Sequence, residues 1–195
     1  MARLILVLGT PGVGKSTLAR GLATKLEAEM VDLSTIVRQE GLYKSYDATR
    51  RSYVADEELV ARKIRSLLSG RDLVVATHFV GKIVRPSSVK LALVLRLDPI
   101  VLYHRLGRKG RTRRSAWENV ESELVDVCLI EAVKSLGKRK VFEIDTSSKS
   151  RSQIVLEAMK IIAGAHGSAT PTVNWLNHYD PISLWRKMGW KSSTS

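Results

Sequence analysis

The feature that most restricts the fold of this chain is the glycine-rich run Gly9-Thr10-Pro11-Gly12-Val13-Gly14-Lys15-Ser16. It matches the phosphate-binding pattern GxxxxGK[ST] in full. The apolar run Leu4–Leu8 precedes it, and residues 15–28 follow it with apolar side chains at helical spacing. A strand, a glycine-rich loop and a helix in this order cradle phosphate groups, so a nucleotide-binding α/β domain is predicted. A purely structural turn is the less favoured alternative.

Apolar runs alternate with amphipathic stretches along most of the chain. Further strands are predicted at 30–33, 73–76, 91–97 and 141–144, and helices at 35–40, 56–68, 98–106, 115–136 and 153–163. This alternation is typical of a P-loop NTPase fold, three α/β/α layers around a five-stranded parallel sheet. We expect that domain to span residues 1–164. Residues 165–195 then form a linker and a tail with Trp175, Trp185 and Trp190, which we expect to dock on the domain or on a partner.

Positive charge is concentrated in one part of the sequence. The 195 residues include 32 Lys and Arg against 19 Asp and Glu, a net charge of +13. Ten of the basic residues and only one acidic residue, Asp98, lie between residues 81 and 114. Nucleic acid, an acidic partner or a polyanionic small substrate would each suit such charge. The clustering favours a phosphate clamp, an RNA contact or both, with a solvated cationic loop as the plain alternative.

Composition excludes several classes of protein. Hydrophobic residues make up 44% of the chain, which is an ordinary globular share. The single cysteine, Cys128, excludes an intrachain disulfide and a paired-cysteine metal site. With a single cysteine, a reducing, cytoplasmic setting is expected. The sequence contains no run of 18 apolar residues, so we expect no membrane span.

The residues of the loop have chemically distinct roles in binding ATP and Mg²⁺. Backbone amides of the loop, at Gly12, Val13 and Gly14, should surround the phosphates, and Lys15 should reach the β- and γ-phosphates. The Ser16 hydroxyl can ligate Mg²⁺, and Thr17 is placed to reach the α-phosphate. The guanine-specific pattern NKxD does not occur, which argues against a GTPase. The length leaves no room for the extra strands of motor or transporter ATPases. A small-molecule or nucleoside monophosphate kinase with a cationic lid fits best.

Several spaced motifs give the chain a more specific resemblance. Over roughly residues 1–163 it resembles the adenylate kinase isoenzyme 6 family, the adenylate-kinase-like ribosome-biogenesis ATPases. The motifs are the loop 9–18, Arg38-Gln39-Glu40-Gly41-Leu42-Tyr43, Tyr46-Asp47, Asp56-Glu57, His78, residues 94–98, residues 102–106 and Glu118-Asn119-Val120. The tail after residue 163 lies outside the resemblance.

The resemblance implies phosphorylation of AMP by ATP to give two ADP, together with ATPase activity. It also implies a role in small ribosomal subunit rRNA maturation, with a small-subunit ribosomal protein and rRNA as partners. Residues 32–55 would form the monophosphate-binding segment and residues 108–118 the lid. The candidate residues are Arg38, Tyr43 and Asp56 for AMP, Lys15, His78, Arg105 and Arg108 for catalysis, and Lys109 and Lys149 for ATP.

Two positions depart from the family pattern. Ala76 stands where the family has an Asp near Mg²⁺, and Asp32, Asp56 and Asp98 are the candidates to replace that carboxylate. Lys109-Gly110 stands in the lid where Arg-Gly is expected, which supplies charge without the planar fork of arginine.

Simpler interpretations remain open at this point. His78 could be a structural hydrogen-bonding group, Arg38 a surface residue, Asp56 a helix cap, and Tyr43 a packing residue. At the level of function, the alternatives are an ATP-dependent assembly switch without significant AMP kinase activity and another small-molecule kinase.

Overall fold

A computed structural model describes residues 3–50, 52–164 and 173–188. The strands are β1 (Leu4–Leu8), β2 (Glu29–Asp32), β3 (Tyr43–Asp47), β4 (Ser52–Ala55), β5 (Leu73–Ala76), β6 (Val89–Arg96) and β7 (Val141–Asp145). The helices are α1 (Lys15–Leu26), α2 (Leu33–Gln39), α3 (Glu57–Leu67), α4 (Pro99–Arg108), α5 (Arg113–Leu124), α6 (Val127–Leu136), α7 (Arg151–Ile162) and α8 (Pro181–Lys187).

The central sheet has five strands in the order β2-β5-β1-β6-β7, and every neighbouring pair is parallel. The predicted α/β fold with five parallel strands is therefore confirmed. In such a sheet the carboxyl ends of all strands meet at one edge, which is where ligands bind. The phosphate-binding loop follows β1 at the centre of this edge.

Helices cover both faces of the sheet because its strands are apolar on both sides. Every residue of β1 is buried. Ile5 and Val7 face one core with residues of α1, α4, α5 and α7. Leu4, Leu6 and Leu8 face a second core with residues of α2, α3 and α6. The sheet, covered by helices on both faces, thus supports the loops at its carboxyl edge.

The structure corrects the prediction of one continuous helix over 115–136. Two helices, α5 and α6, occupy this stretch, and Asp126 between them has a left-handed backbone with φ of 57°. The Asp126 carboxylate pairs with Arg96 at the end of β6. The helix thus breaks at a residue that pairs with a partner outside the helix, although the local sequence is compatible with helix.

A small antiparallel hairpin was also absent from the prediction. It consists of β3 and β4 and lies inside the predicted monophosphate-binding segment. A bulge between Tyr43 and Ser45 shifts the register, and Tyr43, Tyr46 and Tyr53 form an exposed aromatic cluster. Exposed strands have no buried face, so they lack the apolar alternation by which strands are recognised.

Residues 173–188 dock on the domain, one of the two placements expected for the tail. Trp175 is 7% exposed, and Leu184 on α8 is buried in the same core. Residues 165–172 and 189–195, and with them Trp190, lie outside the described residues. Within the described ranges no helix is both long enough and apolar enough to cross a bilayer.

Candidate functional site

The loop between β1 and α1 has the backbone needed to surround phosphates. Gly9, Gly12 and Gly14 all have left-handed φ angles, of 136°, 102° and 115°. A Cβ at Gly9 would lie 2.6 Å from the Leu95 carbonyl oxygen, so only glycine fits against β6 there. Gly14 precedes α1, and no side chain caps this helix. The first amides of α1 are thereby left to an anion at the loop.

The Lys15 ammonium lies over this loop. Its Nζ donates to the carbonyl oxygens of Gly9 at 2.8 Å and Thr10 at 3.1 Å. Burial lowers the pKa of Lys15 to about 8, and the positive charge of Lys109 acts in the same direction. A phosphate group beside Lys15 would replace the two carbonyls as its partner and would favour the charged form.

Ser16 and Asp32 bring two oxygen ligands together next to the loop. The Ser16 hydroxyl donates to Asp32 Oδ2 at 2.5 Å. Burial acts to raise the pKa of Asp32, but hydrogen bonds from Ser16, Ser34 and Thr35 outweigh it and hold that pKa below its usual value. The carboxylate is therefore charged at neutral pH and sits at the carboxyl end of β2.

This pair fits magnesium better than the other two carboxylates considered. Asp56 caps α3 by accepting from the amides of Glu58 and Leu59. Asp98 caps α4 and accepts from the Tyr179 hydroxyl. Asp32 alone among the three has a hydrogen bond with the loop serine. Mg²⁺ is commonly held by one or two protein oxygens plus substrate phosphates, which the Ser16 and Asp32 oxygens suit.

No protein-only metal cage occurs in the described part of the chain, where no group of three or more His, Cys, Asp and Glu side chains could hold a metal ion. Phosphate oxygens and water would therefore complete any magnesium site beside Ser16.

His78 begins the loop that follows β5. Two contacts fix this loop to α6: Cys128 Sγ donates to the His78 carbonyl at 3.4 Å, and Glu131 accepts from the amides of Val80 and Gly81 at 2.7 and 3.0 Å. Desolvation and the charge of Lys15 lower the pKa of His78 to about 4, although the residue keeps exposed surface. The imidazole is thus neutral at pH 7 and close enough to Lys15 to feel its charge.

The basic residues in and just before the predicted lid lie at different distances from the phosphate-binding loop. Arg105 Nη1 lies 3.4 Å from the Val13 carbonyl oxygen, which brings its guanidinium to the phosphate-binding loop. Arg108 is exposed at the end of α4. Lys109, in the turn between α4 and α5, is close enough to act on Lys15. The loop is therefore flanked by cations from α4 and from the turn after it.

The predicted lid also contacts the loop of the hairpin. Arg111 donates to the Arg50 carbonyl at 3.4 Å, and Arg50 pairs with Glu118 of α5 at 3.4 Å. The lid and the monophosphate-binding segment are thus in direct contact.

The candidates for the acceptor nucleotide lie on that segment. Arg38 is exposed on α2, and the Tyr43 ring lies 4.5 Å from the Tyr53 ring. Asp56 shows the hydrogen bonds of a helix cap. The other ATP candidate, Lys149, follows β7 and pairs with Glu157 at 2.6 Å. Among described residues the structure shows no hydrogen bond that joins these side chains to the phosphate-binding loop.

A buried charge network under the site was not predicted. Arg96, 1% exposed, pairs with Glu123 at 2.8 Å, with Glu143 at 2.6 Å and with Asp126. Burial opposes the charge of Arg96, but the carboxylates outweigh it and raise the pKa of Arg96 above its usual value. Glu123 also accepts from the Thr10 hydroxyl at 2.6 Å. An arginine inside the apolar run of β6 was the only sequence signal of this network.

The chain matches known families over most of its length. Residues 5–126 match the family described as "AAA domain". A Methanococcus maripaludis protein named "Putative adenylate kinase" is 33% identical over 90% of this chain and 97% of its own length. The protein of the same name from Pyrococcus abyssi is 34% identical over 95% of this chain and 98% of its own.

Solved structures of small kinases share the fold. Shikimate kinase from Acinetobacter baumannii, in complex with shikimate, superposes with a TM-score of 0.59 at 21% identity, over 85% of this chain and 95% of that one. A gluconokinase from Sinorhizobium meliloti superposes with a TM-score of 0.53 at 19% identity, over 83% and 91%. At such identities the likeness concerns the fold alone.

Proposed function

We propose that this chain is an adenylate kinase that converts ATP and AMP into two ADP and also hydrolyses ATP. The chain belongs to the AAA-domain family of P-loop NTPases and to the same family as those archaeal relatives. The observation that carries the proposal is the arrangement around the loop. Lys15, the Ser16–Asp32 pair and Arg105 meet at one carboxyl edge, with an exposed tyrosine hairpin beside them.

The donor phosphates would bind in the loop. Backbone amides from Gly12 to Ser16 would donate to the β-phosphate, and Lys15 would leave the carbonyls of Gly9 and Thr10 for the β- and γ-phosphates. Mg²⁺, held by Ser16 and oriented by Asp32, supplies charge neutralisation on those phosphates when bound. Thr17, the next residue of α1, would reach the α-phosphate.

The transfer step requires little from the protein beyond position and charge. An oxygen of the AMP phosphate forms a bond to the γ-phosphorus, and the bond from that phosphorus to the β–γ bridging oxygen breaks, leaving ADP on each side. The nucleophile is already an anion, so no side chain has to remove a proton. Arg105, with Arg108 and Lys109 beside it, would stabilise charge on the transferring group. Neutral His78 would orient a group by hydrogen bonding rather than by charge.

The acceptor would bind on the segment 32–55. Arg38 would pair with the AMP phosphate, and the Tyr43 ring would stack on its base. Asp56 would contribute chiefly by fixing the start of α3, with its carboxylate next to the end of the hairpin. Lys149 would contact the adenine of ATP from the loop after β7.

The test is an acceptor panel. ADP formation from ATP and Mg²⁺ is measured by chromatography with no acceptor and with AMP, GMP, CMP, UMP, shikimate or gluconate. The proposal predicts a rate with AMP far above the rate without acceptor and above every other acceptor. A rate that AMP does not change would leave an ATPase, and stimulation by shikimate or gluconate alone would show a hydroxyl acceptor. Lys15→Ala protein serves as the control for contaminating host kinase.

A second proposal concerns where the enzyme acts. We propose a cytoplasmic role in small ribosomal subunit biogenesis, with rRNA and a small-subunit ribosomal protein as partners, as the resemblance to adenylate-kinase-like ribosome-biogenesis ATPases implies. The excess of positive charge around the lid supports the contact with RNA. Five exposed cations lie between the end of α4 and the start of α5: Arg108, Lys109, Arg111, Arg113 and Arg114. Arg96 is the exception in the basic stretch 81–114, since carboxylates neutralise it in the core. One triphosphate does not need all of the remaining cations.

Binding of small-subunit rRNA at increasing salt tests this second proposal. We expect binding that weakens steeply with salt, because contacts to phosphates release counterions. Arg113→Glu should weaken it several-fold, whereas Arg139→Glu, exposed on the far side of the sheet before β7, should not. Equal effects of the two variants, or no retention of rRNA and ribosomal protein, would contradict it.

A further inference from the structure

Glu123 is a buried carboxylate with an unusual set of donors. It is 2% exposed, and both of its oxygens are hydrogen-bonded. Oε1 accepts from Arg96 Nε at 2.8 Å, from the Leu97 amide at 3.2 Å and from the Trp175 indole at 3.1 Å. Oε2 accepts from the Thr10 hydroxyl at 2.6 Å. A buried carboxylate requires such donors, and losing one leaves it free to shift or rotate.

One of these donors belongs to the phosphate-binding loop. Thr10 is the second residue of the loop and is itself buried. Its carbonyl accepts from Lys15 Nζ at 3.1 Å and from the Val13 amide at 3.3 Å. Glu123 holds the side chain of the same residue, so the position of Glu123 sets the position of the carbonyl that Lys15 contacts.

Another donor comes from beyond the part of the chain that the AAA-domain family covers. Trp175 belongs to residues 173–188, which we call the carboxyl-terminal segment, whereas the family match ends at residue 126. The segment is anchored by buried Leu184 and by the Tyr179 hydroxyl, which donates to Asp98 at the start of α4. The Trp175 indole therefore contacts Glu123 from a segment that is itself held against the domain.

We infer that the carboxyl-terminal segment is part of the nucleotide site: Trp175 positions Glu123, and Glu123 positions Thr10 and the phosphate-binding loop. Trp175 is in this view a positioning residue that does not touch the nucleotide. The inference rests on the proposed nucleotide binding but not on AMP as the acceptor. It predicts that docking of the segment and binding of ADP favour each other, because coupling between two sites is reciprocal.

A double-mutant cycle in the full chain tests the coupling. Trp175→Phe keeps an aromatic ring and removes the indole donor, and Thr10→Val keeps the shape of the side chain and removes the hydroxyl. We expect each variant to weaken ADP binding by about two- to tenfold, a range typical of coupled neighbours. The double variant should have the same ADP affinity as whichever single variant binds ADP more weakly, because both changes break the same chain of contacts. Thr10→Ser, which restores a hydroxyl, should bind like the wild type.

The matched control is Ile182→Ala, on α8 of the same segment, where the side chain is 60% exposed. It alters the segment without touching Glu123 or the contacts that anchor the segment, and it should leave ADP affinity within about twofold of the wild type. Thermal unfolding of every variant without ligand separates loss of fold from loss of affinity. A Trp175→Phe protein that is less stable but binds ADP normally would overturn the inference, and so would losses that multiply in the double variant.

A second measurement does not depend on how well Trp175→Phe folds. Amide hydrogen exchange of residues 173–188 is compared with and without ADP in the wild type and in Thr10→Val. We expect ADP to slow exchange in this segment of the wild type and to have little effect on it in Thr10→Val. Unchanged exchange in the wild type at saturating ADP overturns the inference alone, whereas a wild type that does not bind ADP overturns the proposed function as well.

Discussion

The hydroxyl of Ser16 and the carboxylate of Asp32 are joined by a hydrogen bond of 2.5 Å across the start of α1 and the end of β2. On this contact we propose that Asp32 stands in for the carboxylate that the family resemblance leads us to expect at Ala76. Asp32 is charged, ordered by Ser34 and Thr35, and next to the one side chain of the loop that can ligate Mg²⁺. It makes the carboxyl end of β2, rather than that of β5, the acidic side of the proposed site.

Asp32→Asn should therefore reduce catalysis more than nucleotide binding. The amide keeps the size of the side chain and loses the charge that orients a magnesium ligand. We expect kcat to fall by about 10- to 100-fold, the usual cost of losing such an outer partner, and the Mg²⁺ concentration for half-maximal rate to rise. Asp180→Asn, which alters the equivalent cap of α8, is the matched control. Equal kcat in wild type and Asp32→Asn would place the acidic group elsewhere.

Lys15 should make ADP binding depend on pH. Its pKa is about 8 in the ligand-free chain, and contact with phosphates would raise it. Above pH 8 the free protein must then take up a proton to bind ADP. Affinity should fall as pH rises, by at most about tenfold per pH unit. Calorimetry at pH 8.5 in buffers of different ionisation enthalpy would detect the proton.

The same shift affects stability with a defined sign. The folded chain binds fewer protons at Lys15 than the unfolded chain between pH 8 and 10.5, so this lysine makes the free energy of unfolding rise with pH in that window. Lys15→Met should remove both pH dependences. If ADP binding in the wild type is independent of pH from 7.5 to 9.5, Lys15 does not act as described.

Arg105 should matter more for turnover than Arg108. Its guanidinium lies at the Val13 carbonyl, whereas Arg108 is exposed at the end of the same helix. Arg105→Gln should lower kcat by about 10²- to 10³-fold, as for other groups that stabilise charge in the transition state. Arg108→Gln should have a smaller effect, and Arg62→Gln, exposed on α3, none. Steady-state kinetics with ATP and AMP gives the order, and a larger loss for Arg108→Gln would reverse our assignment.

Tyr43→Ala should weaken the acceptor site selectively. Stacking of a base on an aromatic ring contributes about 1–3 kcal/mol, so KM for AMP should rise by roughly 5- to 150-fold. KM for ATP and the ATPase rate without AMP should stay unchanged, because the Tyr43 ring packs against Tyr53 and has no hydrogen bond to the phosphate-binding loop among the described residues. Leu156→Ala, 58% exposed on α7, is the control. An unchanged KM for AMP would show that Tyr43 only packs against Tyr53.

Much of the fold follows from local sequence. Leu4–Leu8 and Leu73–Ala76 are strands with the predicted bounds, because apolar runs of four or five residues that end at turns are too short for a buried helix and suit a buried strand. The loop 9–16 was recognisable since each of its residue types has a chemical role. The local sequence thus predicted the architecture, including the strand, loop and helix that we propose to bind the phosphates.

The features that were missed depend on residues far apart in the chain. The break between α5 and α6 is tied to Arg96, thirty residues from Asp126. Glu123 is bound to Thr10 and Trp175, 113 and 52 residues away. No periodicity within a helix reports such partners. Asp32 was one of three candidate carboxylates, and only the three-dimensional position of Ser16 separates it from Asp56 and Asp98.

The most direct test of the central claim is the reverse reaction. Purified protein is given ADP and Mg²⁺ with no other nucleotide, and ATP is detected with luciferase, with Lys15→Ala protein prepared in parallel. An adenylate kinase must produce ATP and AMP in equal amounts from ADP alone, and we expect this with the wild type and not with Lys15→Ala. No ATP from ADP at any enzyme concentration, or equal ATP from both proteins, would contradict the account.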